Sequence, residues 1–512
     1  MKKSCLFLGI LGFFVLSMAV PVYSWQGRMA GMGDPYGLVE DESDFLIFPA
    51  KIAQGQGVKF YGHYRFTYTD VTNWDYNLDQ LNTAGILTNF FNFDTSGQEY
   101  KHNALLGAAF PFGGGRMGLF FTYDGMKGDY DGNEDVLGAN NFAAHDLTKD
   151  LDNFVLRLLY GRTVGGMDVG LELGIAYRDE LQKTWWNQTN MSVGTQNYFW
   201  SWGVPERSLL PFMIPYDSQY WELLGKAGTE LKLAPLTIAV SLRGGYIISS
   251  DNDYEYLYQS PVGDNTYNAN IDGNVTGWRI GSDIWTRVPG GGGLTFPVLF
   301  SFDYAAKKRD GDGIGTGTAD LDILYDYTHK EKSLDLKAGG GVEKKFGSTA
   351  LLAGGIYYSY LQGRDDFCIT RNDSGTADNS DFPFDKEHRV ILRVAGEKEF
   401  SSVVALRMGL NFFYGWVKED FKHTSYDSSG VFSYADDISL DGSHWGIGAS
   451  LGGTIKIPPI TLEPFINGGW QKLDLNGDGE RTLSSGAINN LWEMDKLRKE
   501  WSIGGGFSIK FN

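Results

Sequence analysis

The sequence predicts an all-β chain closed into a transmembrane antiparallel β-barrel of about 16 strands, with 14 or 18 as the margin of that count. Segments of roughly 10 to 14 residues alternate apolar and polar positions, as strands with one lipid-facing side require. The connections between them alternate between short and long. Glycine supplies 68 of 512 residues and aromatics 15%, in a chain that is 42% hydrophobic. After the N-terminus no continuous apolar run reaches the ~20 residues that a membrane helix needs.

The chain opens with Lys2 and Lys3, an apolar core over residues 6–20, and Val22-Tyr23-Ser24. Residues 1–24 read as a cleaved signal peptide. Cys5 precedes the apolar core, so only Cys368 would remain in the mature chain and no intramolecular disulfide can form. Export without disulfides fits a bacterial envelope. The formal charge is −19, which excludes a nucleic-acid partner, since that needs a basic face. It suits acidic external loops that meet divalent cations.

Residues 25–56 form a separate, plug-like segment. Glu40, Asp41, Glu42 and Asp44 are followed by the apolar run Phe45-Leu46-Ile47-Phe48 and then Pro49. This is too broken for a helix and too acidic for a lipid-facing strand. Leaving the apolar run in water would be costly.

Residues 57–512 form the barrel. The first strand is placed at residues 58–68 and the second at 101–110. "MDVGLELGIAYR" puts Met167, Val169, Leu171, Leu173, Ile175 and Tyr177 on one face, and "LTFPVLFSFDY" does the same with Leu294, Phe296, Val298, Phe300, Phe302 and Tyr304. Short turns fall at "FGGG" (112–115), "TVGG" (163–166), "APL" (234–236), "VPGGGG" (288–293), "FGST" (346–349), "FSS" (400–402) and "PPI" (458–460). Long polar connections cover residues 69–99, 125–150, 179–218, 250–274, 307–331, 362–386, 416–443 and 473–498. Both chain ends then lie on the short-turn side, the periplasmic side of an outer-membrane barrel. A soluble propeller or sandwich would need neither this alternation nor a large apolar face on nearly every strand. The last strand, "WSIGGGFSIKFN", resembles the C-terminal assembly signal of outer-membrane barrels, except that Asn512 follows the terminal aromatic Phe511.

Gly31-Met32-Gly33, the acids Glu40-Asp41-Glu42 with Ser43, and Pro49-Ala50 together resemble the N-terminal motif of the long-chain fatty-acid transporter family of outer-membrane barrels. Phe48 stands where that family has Asn, and Asp34-Pro35 replaces small residues after the glycines. The resemblance implies a plug in the periplasmic half of the barrel. Alternation supports a plug separately. It places Lys59, Arg65, Arg157, Arg178, Lys226, Lys232, Arg243, Arg279, Lys337, Arg389, Arg393, Arg407, Lys456 and Lys510 in the lumen, against Asp168, Glu172, Glu222, Glu230, Asp283, Asp335, Glu343 and Glu463. A basic lumen with low-dielectric walls would attract the acidic segment.

Other motifs carry less. "GASLG" (448–452) has the Gly-x-Ser-x-Gly spacing, but alternation runs straight through Ser450, without the strand–turn–helix that an activated serine needs. The seven histidines show no metal-ligand spacing, and "GDGIGTGT" (311–318) opens no helix. Asp474, Asn476 and Asp478, followed by Gly479, match the first positions of a calcium loop, but Ser485 stands where a bidentate Glu belongs. The reading is no cofactor beyond a weak external Ca2+ site. The longest polar stretch, 179–218, carries Tyr198, Phe199, Trp200 and Trp202 too far from strand ends to serve the membrane girdle. They read as a constriction or ligand contact, like the inward-folded third loop of the general porins that the layout resembles in strand number.

The expectation is a non-enzymatic outer-membrane channel for passive transfer of small solutes, limited by the plug and the aromatic third loop. Its partners would be outer-membrane lipid, lipopolysaccharide and a small-molecule solute. Two alternatives stand beside it. One is selective uptake of hydrophobic compounds. The other is a structural sheath around an envelope protein partner such as a multihaem cytochrome.

Overall fold

A computed structural model describes residues 26–32, 37–82, 87–136, 141–190, 216–259, 266–316, 322–371, 376–426 and 432–511. Sixteen strands close into one antiparallel barrel in which each strand pairs with its sequence neighbours and the first pairs with the last. They are β1 (Lys59–Asn82), β2 (Leu87–Phe112), β3 (Gly115–Val136), β4 (Asn141–Val164), β5 (Met167–Asn190), β6 (Tyr216–Leu233), β7 (Leu236–Gln259) and β8 (Thr266–Gly291), then β9 (Leu294–Thr316), β10 (Asp322–Phe346), β11 (Ala350–Arg371), β12 (Thr376–Glu399), β13 (Val404–Tyr426), β14 (Phe432–Ile457), β15 (Ile460–Leu483) and β16 (Ile488–Phe511). Closure pairs Phe60 with Phe511 and Tyr64 with Phe507 and leaves no open edge.

Burial is inverted relative to a soluble protein. Leu171 and Leu173 are 60% and 64% exposed, while Glu172 between them is 3% exposed. Apolar side chains thus face outward along the lower part of each strand and charges face the lumen. From Met167 to Tyr177 the outward apolar positions cover ten residue steps, about 33 Å along the strand at ~3.3 Å per residue. A strand tilt near 40° reduces this to a height of ~25 Å, the thickness of a barrel's apolar band. The upper edge of the band carries contacting outward aromatics: Tyr68 with Tyr100 and Trp501, Tyr177 with Phe154 and Trp221, Trp278 with Tyr304, and Trp445 with Trp470. Among the described residues no helix is long and apolar enough to cross a membrane.

All seven short turns fall where they are expected, six of them marked by glycine or proline and the seventh by Ser401-Ser402. At 113–114 and 165–166 both turn glycines have positive φ, the conformation that a two-residue hairpin turn demands. The strands run well beyond the segments that alternation marks. β1 reaches Asn82 rather than residue 68, and β2 begins at Leu87 rather than 101. Within the described residues, the long polar stretches continue as paired strand above the apolar band. Above the girdle neither face meets lipid, so period-two hydrophobicity disappears although the backbone ladder continues.

The N-terminal segment lies within the barrel as a short helix, α1 (Gln26–Gly31), followed by two 3-10 turns, Glu42–Leu46 and Pro49–Gln54. Its buried apolar residues supply two packed clusters. Met32, Leu38, Val39 and Phe48 meet Trp285, Leu299, Ala353 and Tyr357. Phe45 and Ile52 meet Tyr61, Leu105, Phe120 and Leu159.

Candidate functional site: the filled lumen

Residues 26–32 and 37–57 touch the wall around nearly its whole circumference. The apolar side chains act as knobs, and lumen-facing glycines are their sockets. A Cβ built at Gly170 would overlap the backbone of Pro49 and Ala50. One at Gly118 or Gly161 would come within 2.7 Å of Ile52, and one at Gly355 within 2.5 Å of Leu38. Phe48 stacks on Trp285 with ring centroids 6.0 Å apart. The Trp285 indole N–H donates to the Gly37 carbonyl at 3.0 Å.

Two of the lumen cations that alternation marks, Lys59 and Lys510, anchor one of the four acids, and the other three meet cations outside that set. Glu42 is held by the wall lysines Lys59 (2.5 Å) and Lys510, and accepts from the Tyr61 hydroxyl at 3.0 Å. Asp41 pairs with Arg28 at 3.0 Å, inside the segment itself. Lys51, also in the segment, holds Glu40 at 2.7 Å and Asp44 at 3.3 Å, approaches wall residue Glu230 at 3.7 Å, and stands 4.2 Å over the Trp285 ring. The wall arginine Arg287 lies 3.8 Å from Glu40. Arg28 also ties the segment to β12 through Glu397 at 3.0 Å. The Asp44 carboxyl is almost fully buried, and burial pushes it up to about 7 despite Lys51. Lysine partners hold the Glu40 and Glu42 carboxyls below the usual carboxylate range against the opposing effect of burial.

The arginines read as pore-lining are engaged with other wall groups. Arg157 pairs with Glu172 (2.7 Å), Arg178 and Arg279 both with Glu222 (3.2 and 2.6 Å), and Arg243 with Asp283 and Asp303. Arg389 pairs with Glu387, and Arg407 with Glu397 (2.6 Å) and Glu463 (3.2 Å). Arg393 lies over the Tyr357 ring at 5.6 Å, and Arg65 lines the cavity above the segment. Cations that alternation does not mark, Arg287, Lys307, Arg309 and Lys496, also face inward. So do the acids Glu180, Asp303, Glu387, Glu397 and Glu419, each in contact with a lumen cation. They were missed because most lie in stretches read as loops or at strand ends.

A cavity of about 850 Å3 opens above the segment. Met29, Ala30, Leu46 and Ile47, with Asp44 beside them, give it a mostly apolar floor, and His63, Arg65, Thr67, Lys101, Asn103, Asp124, Met126 and Leu151 contribute its wall. Lys101 is paired with Glu99 at 2.7 Å, and Asn103 donates to Asp124. Much of the wall's polarity is thus already satisfied, and the floor is the uncommitted surface.

The remaining candidates are placed as follows. Ser450 sits mid-strand on β14, opposite Gly409 and Asn467, with no turn to expose it. Asp474, Asn476 and Asp478 lie on the extended, fully paired β15, where Asp474 is bonded to Lys472 at 2.6 Å. An extended strand spreads these three over ~13 Å, whereas a calcium loop must curl around its ion, so the residues do not fit that site. Among the described residues no three metal-ligating side chains converge. Tyr198, Phe199, Trp200 and Trp202, and the signal segment, lie outside the described residues.

No family model and no curated protein matches the sequence. Among solved structures the chain is similar to a Pseudomonas aeruginosa FadL homologue, with 10% identity, a TM-score of 0.42, and coverage of 96% of this chain and 98% of that one. It is also similar to the Pseudomonas putida toluene transporter TodX, with 10% identity, a TM-score of 0.39, and coverage of 95% and 98%. The Ralstonia pickettii toluene transporter TbuX gives 10% identity, a TM-score of 0.39, and coverage of 94% and 98%. At such identities the functional reading rests on the lumen itself.

Proposed function

We propose that this chain is an outer-membrane transport barrel that takes up small hydrophobic compounds, rather than an open pore for ions and sugars. The observation that carries this reading is the packed segment across the lumen: Leu38, Phe45, Phe48 and Ile52 are at most 2% exposed inside the barrel. Water-filled passive transfer needs a continuous polar path, and such packing works against one. The apolar floor of the cavity offers a surface for an uncharged solute, where burial contributes about 25 cal/mol per Å2. The work is binding and passage, not catalysis. A lumen occupied by the chain's own residues also speaks against a sheath around a second protein.

The test is binding of a small apolar fluorescent probe to the purified barrel, compared with liposome swelling in small sugars. Probe binding without sugar-driven swelling is expected, and Ile47→Asp should weaken probe binding about tenfold by charging the cavity floor. Rapid swelling in sugars with no probe binding would favour the open-pore reading.

A further inference from the structure

Just above the girdle the outward face of the wall carries arcs of opposite charge. On β9–β13 the outward positions that follow the last aromatics hold Lys308, Lys330, Lys332, Arg364, Lys386 and Lys418. Lys308 and Arg364 stand two outward positions above Tyr304 and Tyr360, and Lys386 and Lys418 one above His388 and Trp416. That is about 7–13 Å along the strand. The Tyr360 and His388 rings meet at 4.9 Å and Trp416 is exposed, so the arc begins where the apolar band ends. The ladder sets these cations against one another. Lys308 is directly opposite Lys330, Lys332 opposite Arg364, and Lys386 opposite Lys418. Like charges directly across a ladder destabilise it. Lys308, Arg364 and Lys418 meet Asp310 (2.7 Å), Asp366 (2.8 Å) and Asp420 (3.1 Å) along their own strands. Each of these acids stands one outward position farther from the membrane, so the cations are foremost on the membrane side. On β4–β6 the same level is acidic. Asp152 follows Phe154, Asp179 follows Tyr177 directly opposite it, and Asp150 and Asp217 lie just beyond.

We propose that the outward face of β9–β13 is the seat of a phosphorylated lipid of the outer leaflet. Its phosphates lie between the facing cations, and its acyl chains run down the apolar band, where Phe300, Ile356, Leu392 and Leu410 are exposed. Phosphate oxygens take strong charge-assisted bonds from lysine and arginine. One phosphate between two facing cations turns their repulsion into two attractions. Charge complementarity selects the occupant and the side. The chain as a whole carries −19, and the acidic arc on β4–β6 repels the headgroup that the basic arc attracts. A soluble polyanion has no chains to cover the band below. The proposal goes beyond the uptake reading, since it concerns the outer surface and does not depend on which solute is carried.

The test is lipid binding by the purified barrel in a sugar-headed detergent, followed by native mass spectrometry. The probes are a bis-phosphorylated glucosamine lipid (lipid A) and the same lipid with its phosphates removed. The phosphorylated form should bind at least about tenfold more tightly. Lys332→Gln combined with Arg364→Gln should weaken its binding about tenfold, and Lys386→Gln combined with Lys418→Gln should act in the same direction. Lys127→Gln, which breaks an exposed pair with Asp129 on β3, should leave binding unchanged. The phosphorylated lipid should also raise the unfolding temperature, read by heat-modifiable migration, more in the parent than in either double variant. Inorganic phosphate at the concentration of the lipid should not displace it. The proposal is overturned if the two lipids bind equally well, or if both double variants fold and bind the phosphorylated lipid as the parent does. It is also overturned if Lys127→Gln weakens binding as much as they do, or if inorganic phosphate displaces the lipid.

Discussion

At the scale of single residues, Lys51 and Asp44 decide how firmly the segment is held. Lys51 is the shared cation for Glu40, Asp44 and Glu230. Lys51→Met would strand that negative charge, and uncompensated buried charge costs about 3–5 kcal/mol. The segment should then become sensitive to protease while the barrel stays folded. Asp44 adds a pH dependence. Its carboxyl is raised to about 7 by burial, above the ~3.9 of an exposed aspartate, so the seated state binds a proton that the released state gives up. Seating is therefore strengthened at low pH, and that contribution is lost as pH rises through about 7. Glu40 and Glu42 have lowered values, so they stay ionised between pH 5 and 8 and do not oppose the change at Asp44. Protection of the segment from protease should be greater at pH 5 than at pH 8, and Asp44→Asn should reduce the difference. Protection that increases with pH would contradict the assignment.

At the scale of elements, the fit between segment and wall is steric as much as electrostatic. Gly170→Leu puts a side chain where Pro49 and Ala50 lie, and a clash of this kind costs a few kcal/mol. The variant should assemble normally but conduct ions steadily in planar bilayers, and a silent Gly170→Leu barrel would show that the segment tolerates displacement from that socket. Barrel closure depends on β16, whose Phe507 stands opposite Tyr64 of β1. Replacing Phe507 and Phe511 together by Asp should abolish heat-modifiable migration on gels, because the lipid face near the closing seam would carry charge. Much of this level was legible in the sequence. The strand number, the seven short turns, six of them marked by glycine or proline, and the outward faces of β5 and β9 all follow from period and punctuation. The upper strand extensions were not legible, because a strand with two polar faces has no hydrophobic period. Nor were the glycine sockets, since a glycine in β5 carries no sign that Pro49, over a hundred residues earlier, will occupy the space. The acids at residues 40–44 announced a basic environment, but a charge run fixes the sign of its partners and not their identity. Lys59 and Lys510 were among the lumen cations that alternation marks, whereas Lys51 and Arg28 lie inside the segment itself.

At the scale of the molecule, one pattern accounts for both surfaces. Apolar side chains face outward in a band ~25 Å tall, and charges face inward, where they pair across the lumen or along the wall. The N-terminal segment completes this interior as a core completes a soluble domain, with apolar knobs in the middle and ion pairs at its margins. Single-channel recording in planar bilayers tests that most directly, comparing the intact chain with a variant lacking residues 26–54 and with Glu40→Gln, Asp41→Asn, Glu42→Gln, Asp44→Asn combined. The intact barrel should show little steady ionic conductance. The deletion should open a stable pore, and the quadruple variant should conduct intermittently as its segment loosens. A large, steady conductance that is the same in all three would mean that the segment does not fill the lumen.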